Sequence, residues 1–132
     1  MKTIVDKANT RGYANHGWLK THHTFSFANY YNPKRVHFGM LRVLNDDSIA
    51  PGEGFDTHPH KNMEVISIPL KGYMRHGDSI RNSEVITPGD IQVMSAGSTI
   101  AVKSSWIFFR SGCSRARRIQ NLIIRIMISV PS

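Results

Sequence analysis

The feature that most constrains this chain is its rhythm of short apolar runs separated by turn residues. Runs rich in Val, Ile, Phe and Met are bounded by Gly, Pro, Asn and Asp, and no stretch repeats apolar residues at helical spacing. The runs predict strands over 36–44, 63–70, 73–76, 83–86 and 90–94, with turns at 45–47, 77–78 and 87–90. Such spacing indicates an all-β sandwich or barrel.

Length and composition narrow the class of protein further. At 132 residues the chain is long enough for one folded domain and too short for two barrels. No apolar run approaches the roughly 20 residues of a membrane span, and residues 1–7 lack the apolar core of a secretory signal. We therefore expect a cytoplasmic protein. Because Cys113 is the single cysteine, a metal would have to bind through histidine and carboxylate.

The net charge of +8 is unevenly distributed along the chain. Residues 1–90 hold eleven Lys or Arg against all nine acids, whereas residues 91–132 hold six Lys or Arg and no acid. All seven histidines also fall in the first part. The composition therefore changes near residue 95.

Two segments allow more than one interpretation. Residues 12–33 are dense in aromatics and histidine, which predicts an arm packed on the barrel wall, with ligand contact as the alternative. The apolar stretch from Ile119 onward is compatible with a strand or with an aggregation-prone unstructured tail.

The string from Gly52 to Glu64 contains the residues best suited to chemistry. In a strand, His58 and His60 point to the same side, and Glu64 shares their parity. Two imidazoles and a carboxylate suit Fe(II), Mn, Ni or Zn. Pro59 lacks a backbone donor, which favours a strand entrance or a sheet edge. The structural alternative is that both rings merely form hydrogen bonds in loops.

Several motifs, in order, resemble the pirin family of the cupin superfamily. They are ANHGWL at 14–19, TFSFANYY at 24–31, LRVLNDD at 41–47, THPH at 57–60, NME at 62–64 and PGDIQVMSAG at 88–97. The resemblance spans residues 1–97 and implies a single cupin-type, jelly-roll β-barrel, corresponding to the N-terminal barrel of a two-barrel pirin. It also implies an iron site, with His58 and His60 at the first two family ligand positions.

The other two family ligands, a histidine and a glutamate, are missing from the expected stretch. In register, Val102 stands at the histidine position and Ser104 at the glutamate position. Glu64 is then the candidate third ligand. Without it, two histidines with water would form a weak, exchangeable site for Fe(II) or another divalent metal.

Residues 98–132 form an atypical basic and apolar tail, and we hypothesise that they arise from a deletion plus frameshift. Residues 110–115 can be encoded by AGA TCT GGA TGC TCC CGG. Together with the last base of a TTC codon for Phe109, this reads Gln-Ile-Trp-Met-Leu-Pro in a neighbouring frame, a string that resembles pirins after the missing ligands. Sequencing the locus tests this origin.

Three functions follow from these features. The first is a dioxygenase related to the quercetin 2,3-dioxygenases of the family, with a flavonol substrate and with little or no activity because half of the ligand set is absent. The second is a non-catalytic module that binds a protein partner, like the transcription cofactors of the family. The third, nucleic-acid binding through the basic tail, is disfavoured because few aromatics interleave with the cations. Open sheet edges also predict a homo-oligomer or a poorly soluble monomer.

Overall fold

A computed structural model describes residue 3 and residues 5–78, 83–96, 100–106 and 121–130, with the backbone alone for 78, 100–106 and 121. The described part of the chain forms ten strands and one 3₁₀ turn, Ala8–Thr10. The strands are β1 Gly12–Asn15, β2 Leu19–His23, β3 Leu41–Ile49, β4 Gly54–His60, β5 Met63–Lys71, β6 Met74–Asp78, β7 Ser83–Ile86, β8 Gln92–Ala96, β9 Ile100–Trp106 and β10 Asn121–Ser129. The all-β prediction is confirmed.

The strands form two antiparallel sheets. The larger has the order β1-β2-β3-β10-β5-β8 and the smaller has the order β4-β9-β6-β7. β10 pairs with both β3 and β5, and β9 pairs with both β4 and β6. The part of the chain beyond residue 97 therefore contributes internal strands to both sheets, and the strand interpretation of the apolar stretch is the one observed.

Alternating burial places the core between the two sheets. In β3 the buried positions are every second residue from Val43 to Ile49, and β5 alternates in the same way from Val65 to Pro69. The buried apolar residues form two clusters. The first contains Leu19, Ile49, Met74, Ile86 and Ile123, and the second contains Val43, Val65, Met94 and Met127.

The aromatic segment packs its rings on the barrel, but it is more than the predicted arm, because it supplies strands β1 and β2 of the larger sheet. The ring of Trp18 meets Phe55 edge to face at 5.3 Å between centroids, and Phe27 packs against the second core cluster. Gly12 lies directly under the ring of Tyr30, where a Cβ atom would overlap that ring. Tyr31, in contrast, is 74% exposed.

Both predicted ends of the strand β3 were wrong, for identifiable reasons. The chain reverses between Phe38 and Leu41, which exchange two backbone hydrogen bonds of 3.0 Å, so β3 begins at Leu41 rather than at residue 36. The strand then continues through residues 45–47, which were expected to turn, because it pairs with β2 and β10 on both sides. Tertiary pairing here overrides the turn preference of Asn and Asp.

Residues 77–78, also expected to turn, belong to β6, where they pair with β9. The turn at 87–90 is confirmed. The Asp90 carboxylate accepts hydrogen bonds from the backbone N–H and the hydroxyl of Thr87, at 2.8 and 3.0 Å.

Candidate metal centre

His58 and His60 lie on β4, an edge strand of the smaller sheet. Their ring centroids are 4.7 Å apart and their planes are inclined at 71°. Pro59 between them occupies the edge position that its missing N–H favours. The two imidazoles therefore lie side by side, as their parity predicted.

Each imidazole is prepared to act as a ligand in a different way. His58 places Nδ1 at 2.7 Å from the carbonyl oxygen of Asp56. Because a carbonyl oxygen accepts, the proton belongs on Nδ1, and Nε2 keeps its lone pair for a ligand. Burial, with smaller contributions from His58 and Arg125, lowers the pKa of His60. His60 is therefore neutral near pH 7, the form that binds metals.

Both histidines line a cavity of ≈ 30 Å³ between the sheets. Its other walls are mostly apolar, with Phe55 beside His58 at 6.3 Å between ring centroids. Among the described residues, the remaining polar side chains on its walls are Ser67, His76, Gln92 and Arg125. A cavity of this size holds about two water molecules.

Glu64 does not join the two histidines. The chain turns at Asn62, where φ is 52°, and Glu64 then lies on β5 in the other sheet. Its neighbour Val65 is the residue that lines the cavity. The Glu64 carboxylate accepts a hydrogen bond of 2.8 Å from Ser95 Oγ. The parity argument fails because it assumed one continuous strand across the turn.

The backbone register locates the two positions where the family resemblance implied further ligands. Val102 on β9 lies directly opposite His58, and Ser104 lies opposite His76 on β6. Neither valine nor serine supplies a nitrogen or carboxylate ligand. Among the side chains that the structure describes, no three His, Cys, Asp or Glu residues form a group that could hold a metal ion. His76 also lines the cavity, but it does not form such a group with His58 and His60.

Two cavity residues were missed by the sequence analysis, His76 and Arg125. His76 is 8% exposed and follows buried Met74 by two positions, so alternation along β6 could have found it. The Arg125 guanidinium donates from Nη2 to Asp47 Oδ2 at 2.6 Å and lies 4.0 Å from the Phe55 ring centroid. The available signal was a lone cation within the continuous apolar run of residues 122–128.

Comparison with known proteins gives consistent matches. The Pirin family model matches residues 5–106. A quercetin 2,3-dioxygenase from Escherichia coli strain K12 is 56% identical over 94 residues, which are 71% of this chain and 41% of that protein. A pirin-like protein from Caulobacter vibrioides is 53% identical over 89 residues, 67% of this chain and 38% of that protein. The chain therefore spans less than half the length of these curated relatives.

Solved structures match in the same way. YhhW from Escherichia coli has a TM-score of 0.82 at 46% identity, covering 93% of this chain and 49% of the other. The bacterial pirin YhhW in complex with nickel(II) has a TM-score of 0.79 at 44% identity, covering 96% and 51%. A predicted oxalate decarboxylase from Thermotoga maritima, at 13% identity and a TM-score of 0.65, shares the fold alone. The described residues contain no helix of the length and apolarity that a membrane crossing requires.

Proposed function

Because this chain belongs to the pirin family, we propose that it is a metal-binding cupin protein in which His58 and His60 alone hold a divalent transition metal such as Fe(II). The nickel(II) complex of a bacterial pirin supports a metal in this fold. The observation that carries the proposal is the pairing of His58 with Val102. The family resemblance implies a histidine ligand at position 102, and valine has no atom that can bind a metal.

Two protein ligands make such a site weak and exchangeable. Catalytic metal sites usually combine three protein ligands with an open position. A metal bound here would supply Lewis acidity to an oxygen-containing ligand. The contribution of this chain is orientation: the Asp56 carbonyl fixes the ring of His58, and Phe55 shields one side of it from water.

The cavity also argues against efficient flavonol turnover. Its ≈ 30 Å³ compares with a cavity of about 150 Å³ that accepts benzene, and a flavonol has three rings. The relatives named quercetin 2,3-dioxygenase motivate a flavonol as the first substrate to assay. We propose that this chain is an inactive or very weak relative of those enzymes.

Metal affinity tests the proposal. Fe(II) and Ni(II) titrations are run on the wild type, on a His58→Ala/His60→Ala variant and on a His16→Ala/His37→Ala control, which removes two exposed histidines. We expect weak binding of one ion per chain, lost in the first variant and retained in the control. Equal binding by all three proteins would contradict the assignment. Oxygen uptake with quercetin is expected to be the same in the wild type and the first variant.

A second proposed role is protein interaction, because one sheet edge is exposed and apolar. β8 ends the larger sheet, Val93 on it is 60% exposed, and the adjacent Ile91 is 63% exposed. An edge strand of this kind pairs readily with another chain. We propose that it supports a homo-oligomer, and a monomer by light scattering would contradict this.

The basic residues of the tail, Arg115, Arg117 and Arg118, lie outside the described residues, as does Cys113.

A further inference from the structure

Among the described residues that line the cavity, the polar side chains include a cation and no acid. Arg125 lines it together with His58, His60, His76, Ser67 and Gln92. Asp47, the partner of Arg125, is 1% exposed and does not line the cavity. The ion pair is therefore a dipole with its positive end at the cavity and its negative end behind the wall.

The guanidinium is held in place with hydrogen-bond donors to spare. Nη2 donates to Asp47, and Cζ lies 4.0 Å from the centroid of the Phe55 ring. Among the described residues, none accepts a hydrogen bond from Nε or Nη1 of Arg125. A guanidinium pairs with a carboxylate through either of two edges, Nε with Nη2 or Nη1 with Nη2, and the single Nη2 bond to Asp47 leaves one of these edges for a ligand.

From this arrangement we infer that the cavity binds a small carboxylate, of the size of formate or acetate, on Arg125. The size follows from the volume of ≈ 30 Å³, which is room for about two water molecules. The charge follows from the part of the wall that the structure describes, where a carboxylate meets a guanidinium and hydrogen-bonding side chains but no competing acid. The inference goes beyond the metal proposal and does not depend on it.

The test uses metal-stripped full-length protein and isotope-labelled formate followed by NMR. Asp47→Asn removes the buried negative charge behind Arg125 and is expected to tighten formate binding several-fold. Arg125→Met removes the donors and is expected to weaken it by about tenfold or more. If the ion pair were merely structural, both substitutions would act in the same direction.

Two further variants serve as controls for folding and for the loss of an arginine elsewhere. The neutral pair Arg125→Met/Asp47→Asn leaves no buried charge unpaired, so it is expected to fold, as monitored by circular dichroism, and to lack formate binding. Arg42→Met removes an exposed arginine from the same strand as Asp47 and is expected to bind formate like the wild type.

Three results would overturn the inference: no saturable formate binding by the wild type, retained binding in the neutral pair, or binding that appears only after Ni(II) is added. The last would mean that formate binds the metal rather than Arg125. Weak metal binding with normal formate binding, or the reverse, separates this inference from the proposed function.

Discussion

Val102 lies directly opposite His58 across the β4–β9 pair. Directly opposed residues of an antiparallel pair share one face of the sheet, so position 102, a valine in this sequence, belongs to the face that carries His58. Because valine offers no lone pair, β9 adds no ligand at position 102 to the two histidines of β4. We base the proposal of a half-complete metal site on this pairing.

Glu64→Gln is predicted to leave metal affinity unchanged. The carboxylate of Glu64 bonds to Ser95 Oγ at 2.8 Å, and the cavity is lined by its neighbour Val65. Titration with Ni(II) beside His58→Ala checks this. An affinity loss in Glu64→Gln equal to that in His58→Ala would restore Glu64 as a ligand.

Arg125→Met is predicted to destabilise the fold by about 3 kcal/mol, because it leaves the carboxylate of Asp47 buried without a partner. The Arg125→Met/Asp47→Asn pair is expected to recover most of this loss. Urea unfolding midpoints of the wild type, the single variant and the double variant decide the point. A double variant less stable than the single one would show that Asp47 stabilises the fold without Arg125.

Gly12→Ala is predicted to destabilise by about 1–3 kcal/mol, since the added Cβ overlaps the Tyr30 ring. Tyr30→Ala removes the obstacle, so the cost of Gly12→Ala is expected to disappear in that background. Thermal unfolding of the four proteins in this cycle measures the coupling. Equal costs in both backgrounds would place the strain elsewhere.

Stability is predicted to fall as the pH drops below 6.5. Burial lowers the pKa of His23 from 6.5, against a smaller opposing effect of Asp47. Between 6.5 and the lowered value the unfolded chain binds the proton more readily than the folded chain, so the free energy of unfolding decreases with falling pH and then levels off. His60 is shifted in the same direction.

His23→Leu tests this titration. Both ring nitrogens of His23 are buried without a hydrogen-bond partner among the described residues, so the substitution is expected to flatten the pH dependence. Unfolding midpoints at pH 5 and pH 7 are compared with those of the exposed control His37→Gln. An unchanged slope in His23→Leu would assign the pH dependence to other groups.

The sequence predicted the residues whose structural roles depend on local geometry. The alternation of side chains brings His58 and His60 together, and Pro59 indicates an edge strand. The position of Glu64 was mispredicted because the turn at Asn62 transfers the chain to the other sheet. Local parity carries no information across such a turn.

Long-range pairing decides the remaining features. β10 is a central strand because it pairs with both β3 and β5. This pairing brings Arg125 next to Asp47, which is 78 positions away in the sequence. The same pairing keeps residues 45–47 extended despite their turn preference. No local pattern encodes these partners, which is why the sequence left the fate of the apolar stretch open.

Restoration of the missing ligands is the most direct measurement. The Val102→His/Ser104→Glu variant introduces an imidazole opposite His58 and a carboxylate opposite His76. Loss of one residue that supports a metal ligand lowers affinity by up to about 100-fold. The gain of two ligands is therefore predicted to raise the Ni(II) affinity above that of the wild type by more than about 100-fold. An unchanged affinity, or tight stoichiometric binding already in the wild type, would contradict a metal site limited to His58 and His60.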